Sequence, residues 1–181
     1  MEVREAGVDD AEQIASLHAD SWRRFYRGAY SDSFLDGDVL SDRLAVWTAR
    51  LAEPSHSATV LVEDSTGLAA FVHVILDEDE QWGSLVDNLH VRHDRQRNGL
   101  GRVLLHRAAA AVADRAKQRG MYLWVLDQND RAQRFYAAMG GERVENALVK
   151  PPNGAADRLA GTPEKVRIAW ADVSDPELRA E

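Results

Sequence analysis

The 181-residue sequence predicts a single α/β domain with a mixed sheet, and three observations carry that reading. Apolar residues recur at three- and four-residue steps in several stretches, as on the buried face of a helix. In the middle of the chain the period changes to that of strands broken by turn residues. A nearly all-apolar run at 122–126, set between two helical stretches, fits a strand buried on both faces. The predicted order is β-α-α-β-β-β-α-β-α-β-β.

Residues 2–5 suit a short first strand. Gly7-Val8-Asp9-Asp10 then opens a helix with Ala11, Ile14, Ala15, Leu17 and His18 on one face; a carboxylate from Asp9 or Asp10 can accept the free amides of its first turn. Trp22, Phe25, Tyr26 and Tyr30 follow, interleaved with Arg23, Arg24 and Arg27. A second helix is expected over residues 39–51 and ends at Glu53-Pro54, because proline drives the preceding residue out of helical geometry. Residues 58–63 and 68–76 read as a hairpin around the turn Asp64-Ser65-Thr66-Gly67, and acidic residues 77–80 precede a third strand at 84–91.

Residues 99–119 carry the strongest helical pattern. Leu100, Val103, Leu104, Ala108, Ala111, Val112 and Ala116 keep the spacing, and Gly120 supplies a stop. After the 122–126 strand, Asp127-Gln128-Asn129-Asp130 interrupts the chain. The next helix presents Ala132, Phe135, Tyr136 and Met139 on one face and ends at Gly140-Gly141. Residues 142–149 and 164–170 read as closing strands around a loop rich in Pro, Gly and Ala. The expected domain spans residues 1–170, with a polar, mobile tail at 171–181.

Composition removes several classes. A chain this long buries about 70 % of the surface its unfolded form exposes, so it needs no metal or crosslink to fold. With no cysteine there is no disulfide framework, thiolate zinc site or cysteine nucleophile. Lys and Arg number 22 against 30 Asp and Glu; the resulting net charge of −8 disfavours a general nucleic-acid binder, which needs a positive surface. No apolar run approaches the ~20 residues that span a bilayer, so no membrane partner is expected. Met1-Glu2-Val3-Arg4-Glu5 lacks the basic-then-apolar start of a secretory signal, and a cytoplasmic protein, monomeric or homodimeric, is expected.

The chemistry concentrates between residues 89 and 102. A strand ends, a polar loop follows, and Gly99 and Gly101 stand at the start of the long helix. Glycines there let a ligand approach the backbone, and first-turn amides with the helix dipole favour a phosphate. Arg95, Arg97 and Arg102 add positive charge in an acidic chain, a combination suited to a pyrophosphate. Leu104 stands where the dinucleotide fingerprint needs its third glycine, and no Gly-Lys-Ser or Gly-Lys-Thr follows, which counts against a general nucleotide binder. A plain strand-to-helix turn with a solvated loop is the structural alternative.

Gln96-x-x-Gly99-x-Gly101 resembles the pyrophosphate loop of the GCN5-related N-acetyltransferases. Downstream, Leu123-Trp124-Val125-Leu126-Asp127-Gln128-Asn129, Arg131-Ala132-Gln133-Arg134-Phe135-Tyr136 and Met139-Gly140-Gly141 resemble that family's second cofactor motif, an Asn at a helix start and a Tyr two turns on. The aromatic stretch from Trp22 to Tyr30, with Phe34-Leu35-Asp36 and Trp47, is similar to small bacterial members, so the resemblance covers nearly the whole chain.

That resemblance implies a central sheet splayed between the 84–91 and 122–126 strands, with acetyl-coenzyme A in the gap. It implies that Leu89, His90 and Val91 offer backbone groups to the pantetheine. Gln96, Arg97, Asn98, Gly99, Leu100, Gly101 and Arg102 would enclose the pyrophosphate. Asn129 would bind the pantetheine side, and Tyr136 would approach the thioester sulfur as general acid. A primary amine of a small molecule or peptide would attack directly, without a metal. Read as residues alone, Tyr136 also suits core packing and Asn129 also suits a helix cap. Where histone-type relatives carry a glutamate, this chain has Leu85, so Asp87 and His90 are left as candidate bases; strand alternation predicts that they point to opposite faces. Trp22, Tyr26 and Tyr30 either line the acceptor pocket or simply pack. An acidic protein is expected to attract a cationic acceptor. A non-catalytic acyl-coenzyme A-binding module is the competing reading.

Overall fold

The computed structural model describes residues 1–174 and residue 178. Its elements are β1 (Glu2–Glu5), α1 (Ala11–Phe25), α2 (Asp32–Asp36), α3 (Val39–Ala52), β2 (Ser57–Asp64), β3 (Gly67–Asp79), β4 (Gly83–Val91), α4 (Leu100–Arg115), β5 (Met121–Leu126), α5 (Asp130–Ala137), β6 (Glu142–Leu148) and β7 (Glu164–Trp170). The seven strands form one sheet in the order β1-β2-β3-β4-β5-β7-β6. All neighbours run antiparallel except β4 and β5. This is the mixed α/β architecture that the sequence predicts, with the one-turn helix α2 added. Among the described residues no helix is long and apolar enough to cross a membrane.

Each face of the sheet carries its own core. Leu100, Leu104, Leu105, Ala108 and Val112 of α4 pack with Val72, Val74, Leu123, Val125 and Ile168 from the strands. On the other face Ile14 and Leu17 of α1 and Trp47 and Leu51 of α3 close over Leu61 and Phe71. The strands between these layers have apolar residues on both sides, which is why β3 reads as a nearly continuous hydrophobic run.

Several ends differ from expectation for electrostatic reasons. Asp10 sits at the start of α1, yet its carboxylate binds the Gly7 amide and is gripped bidentately by Arg4 at 2.7 and 2.8 Å. The guanidinium outcompetes the helix amides, and it holds the Asp10 carboxyl down at about 2. α4 stops at Arg115 rather than near Gly120, because the Asp77 carboxylate accepts the Lys117 and Gln118 amides and turns the chain out of the helix. Gly120 instead lets the Trp82 carbonyl approach; a Cβ there would lie 2.8 Å from that oxygen. At the chain end Val173 and Leu178 are buried on the α4 core, and the Val173 amide donates to the Arg119 carbonyl at 2.9 Å, so these positions are docked. The rest of the expected tail, residues 175–177 and 179–181, lies outside the described residues.

Candidate active site

β4 and β5 pair only at Ser84–Met121, Leu85–Tyr122 and Val86–Leu123. Beyond Val86, β4 stays with β3 as far as Val91, while β5 follows β7 to Leu126. The strands therefore part, and a cavity of about 470 Å³ opens between them. The edge of β4 facing this gap has no strand partner over residues 87–91, so its main-chain groups are available to a ligand.

A bulge sits where the strands separate. His73 stands opposite Asn88 and Val74 opposite Val86, which leaves Asp87 as an extra residue in β4. Val86, Leu89 and Val91 all pack against the α4 core. Residues 87 and 88 are thus carried together to the α1/α3 face, and His90 lies there too, against Phe71 and His18. The expectation that Asp87 and His90 point to opposite faces is corrected by that one inserted residue. Asp87 pairs with Arg50 of α3 at 2.7 Å.

At the α4 end of the gap, Gly99 has φ +78° and Arg97 φ +65°, both left-handed. Gly99 has open space around its missing Cβ, so its need for glycine is conformational; a Cβ on Gly101 would come within 3.2 Å of the Phe135 ring. No acidic residue lies in the first turn of α4. Gln96 ties this loop down: its Nε2 donates to the Val91 carbonyl at 3.4 Å and its Oε1 accepts from Arg131 at 3.0 Å. Arg95, expected to add free positive charge, is held by Asp64 at 2.6 Å and Asp94 at 2.7 Å.

The predicted residues are brought together with few exceptions. Asp87, Leu89, His90, Val91, Gln96, Arg97, Gly99, Leu100, Gly101, Arg102, Asn129 and Tyr136 all line the cavity, as does Tyr26. Asn98 is exposed and off it. Trp22 and Tyr30 are also off it, buried with Phe34, Leu35 and Val39 and capped by Arg43, whose guanidinium lies 4.3 Å from the Trp22 ring centre. Of the proposed acceptor aromatics, only Tyr26 reaches the opening.

The Acetyltransferase (GNAT) family model matches residues 13–140. The chain belongs to the GNAT acetyltransferase family. It is 30 % identical over 173 residues to the uncharacterized N-acetyltransferase YuaI of Bacillus subtilis, covering 95 % of this chain and 94 % of that one. Among solved structures it resembles the PaiA N-acetyltransferase of Thermoplasma acidophilum in complex with coenzyme A, with a TM-score of 0.72 at 15 % identity over 93 % of this chain and 98 % of the other. It also resembles YncA, a putative acetyltransferase from Salmonella typhimurium with its cofactor acetyl-CoA, at a TM-score of 0.65 and 18 % identity over 94 % and 93 %.

Within this GNAT fold the polar groups of the gap are tuned mainly by burial. His90 is pushed down to about 4 by burial, although Asp87 draws it the other way. Its imidazole is therefore neutral at pH 7. Burial pushes the Tyr26 phenol up to about 12 and the Tyr136 phenol higher still, with Tyr26 adding to the latter. Both remain protonated. The Asn129 side-chain oxygen accepts the Ala132 amide at 3.1 Å, so the residue does cap α5 while also lining the cavity. Among the described residues, no group of three or more His, Asp or Glu is placed to hold a metal ion.

Sequence reasoning missed Ser21 and Trp124 in the lining, while Phe25, within the aromatic stretch from Trp22 to Tyr30, does line it. Trp124 was legible in principle: Leu123 and Val125 face the α4 core, so alternation turns the intervening residue to the other side.

Proposed function

We propose that this chain transfers an acetyl group from acetyl-coenzyme A to a primary amine by direct attack in a ternary complex. The observation that supports it best is the parting of β4 from β5 after Val86, beside a left-handed Gly99 that opens the first-turn amides of α4. Acetyl-coenzyme A supplies an activated thioester carbonyl.

The residues then divide the work. Amides of residues 99–102 bind the diphosphate, with Arg97 and Arg102 beside them. Main-chain groups of Leu89, His90 and Val91 and the Asn129 side chain hold the pantetheine. An amide of residues 89–91 faces the carbonyl oxygen as it gains negative charge. The amine nitrogen forms a bond to the acetyl carbon, and the carbon–sulfur bond breaks. Neutral His90 takes the proton that the nitrogen sheds, and the Asp87 carboxylate on the same face stabilises the imidazolium so formed. The Tyr136 phenol donates its proton to the departing sulfur, and the proton held by His90 restores it through solvent. Products are the amide and the free thiol.

Thiol release monitored across a panel of amines, with the acetylated product identified by mass, tests this reading. Amine-dependent release is expected. Tight binding of coenzyme A with no amine ever acetylated would instead favour a binding module.

A further inference from the structure

Next to the cavity, against one of its lining side chains, lies a cation with no carboxylate partner among the described residues. Pairing in the β5/β7 ladder sets Trp124 opposite Arg167 and Leu126 opposite Lys165, so Trp124, Lys165 and Arg167 share one face of the sheet, the face carrying Asp87 and His90. The Trp124 ring lines the cavity, and the Lys165 ammonium lies 4.2 Å from its centre. Arg167 also stacks on Trp124, but its charge is matched by Asp79 at 3.3 Å and Glu145 at 3.1 Å. Arg50 and Asp87 satisfy one another. Lys165 has no carboxylate within ion-pair distance among the described residues.

We propose that Lys165 is a recognition site for a carboxylate on the acceptor, so that the substrate class is a small amino carboxylate and not a polyamine; this rests on the acetyl-transfer reading above. Burial and the nearby Lys150 and Arg167 lower the affinity of Lys165 for its proton, outweighing the opposite pull of Asp87 and Glu145. A carboxylate set beside Lys165 gives this partly desolvated ammonium a counter-charge, whereas the second ammonium of a polyamine places a like charge next to it. Trp124 lines the same cavity as Asp87 and His90, and its ring offers an apolar surface along which a short aliphatic spacer can lie. On this proposal the acceptor differs from the cationic one that overall charge alone favours.

Matched acceptors test this: amino acids of increasing amine-to-carboxylate spacing, the amines left by removing each carboxylate, and spermidine. For the native chain, kcat/KM is expected to favour the best carboxylate over its decarboxylated partner by about 10-fold or more. In Lys165→Met that ratio falls toward one through a raised KM, and Lys165→Arg restores it. The same variants are titrated calorimetrically with the N-acetylated amino acid in the presence of saturating coenzyme A, which reads the site without turnover. Preference for the decarboxylated amines or spermidine overturns the proposal, as does equal weakening of both members of each pair in Lys165→Met. If no amine at all is acetylated the transfer reading fails separately, and carboxylate binding that depends on Lys165 still decides the anion site.

Discussion

The Trp47 indole Nε1 donates to Nδ1 of His18 at 3.0 Å, deep between α1 and α3. An indole can only donate, so Nδ1 must be the acceptor and the proton of neutral His18 lies on Nε2. That nitrogen has no hydrogen-bond partner among the described residues, and the ring lies 4.6 Å from His90. Charging His18 would bury a cation against a second imidazole, and burial accordingly holds its pKa well below 6.5.

Acid sensitivity follows. His73 and His90 are both lowered to about 4, and His18 is lowered too, while in the unfolded chain each titrates near 6.5. Between these values the unfolded state binds more protons, so stability is complete above pH 6.5 and is lost as pH falls toward 4, by about 1.4 kcal/mol per pH unit for each extra proton. Thermal melting from pH 7.5 to 4 is expected to show Tm falling through this window. His73→Gln, which can keep a contact to Thr59 without titrating, should show a shallower fall; an unchanged slope would contradict the assignment.

Tyr136→Phe removes only the hydroxyl of a buried ring. Steady-state kinetics should show kcat reduced roughly 10²-fold with coenzyme A affinity nearly unchanged. Native turnover would assign Tyr136 to packing alone.

His90 and Asp87 are separable. His90→Gln should lower kcat by about 10²-fold. Asp87→Asn removes the group that favours the imidazolium, so the acid limb of kcat/KM should move to lower pH, away from about 4. The other groups facing His90 are His18, Phe71 and Arg43, and none of them supplies a replacement anion. A limb that stays in place would remove Asp87 from this role.

The order of strands and helices was legible because periodicity reports burial directly, and the start of α4 was legible because the left-handed φ at position 99 and the close approach of Phe135 at position 101 both favour glycine. Less visible was anything set by a register or a rival partner. Nothing in Val86-Asp87-Asn88 announces a bulge, since its cause is the strand opposite. Arg95 looked available until Asp64, 31 positions away, was placed beside it. Trp22 and Tyr30 read like pocket aromatics, but Phe34, Leu35 and Val39 enclose them. Lys165 carried no signal at all, because its position depends on β7 lying next to Trp124.

Gly99→Glu and Gly101→Glu should each abolish coenzyme A binding while leaving the fold intact by circular dichroism. The first combines backbone strain at φ +78° with a negative charge at the helix start; the second presses on Phe135 as well. Native affinity in either variant would place the diphosphate elsewhere.

The most direct measurement compares coenzyme A with pantetheine, which lacks the diphosphate, by calorimetric titration of the native chain. One site per chain is expected, with pantetheine bound at least about 10²-fold more weakly, since charge-assisted contacts to the α4 amides are lost. Equal affinities, or no binding of coenzyme A, would contradict a diphosphate held at the opening between β4 and β5.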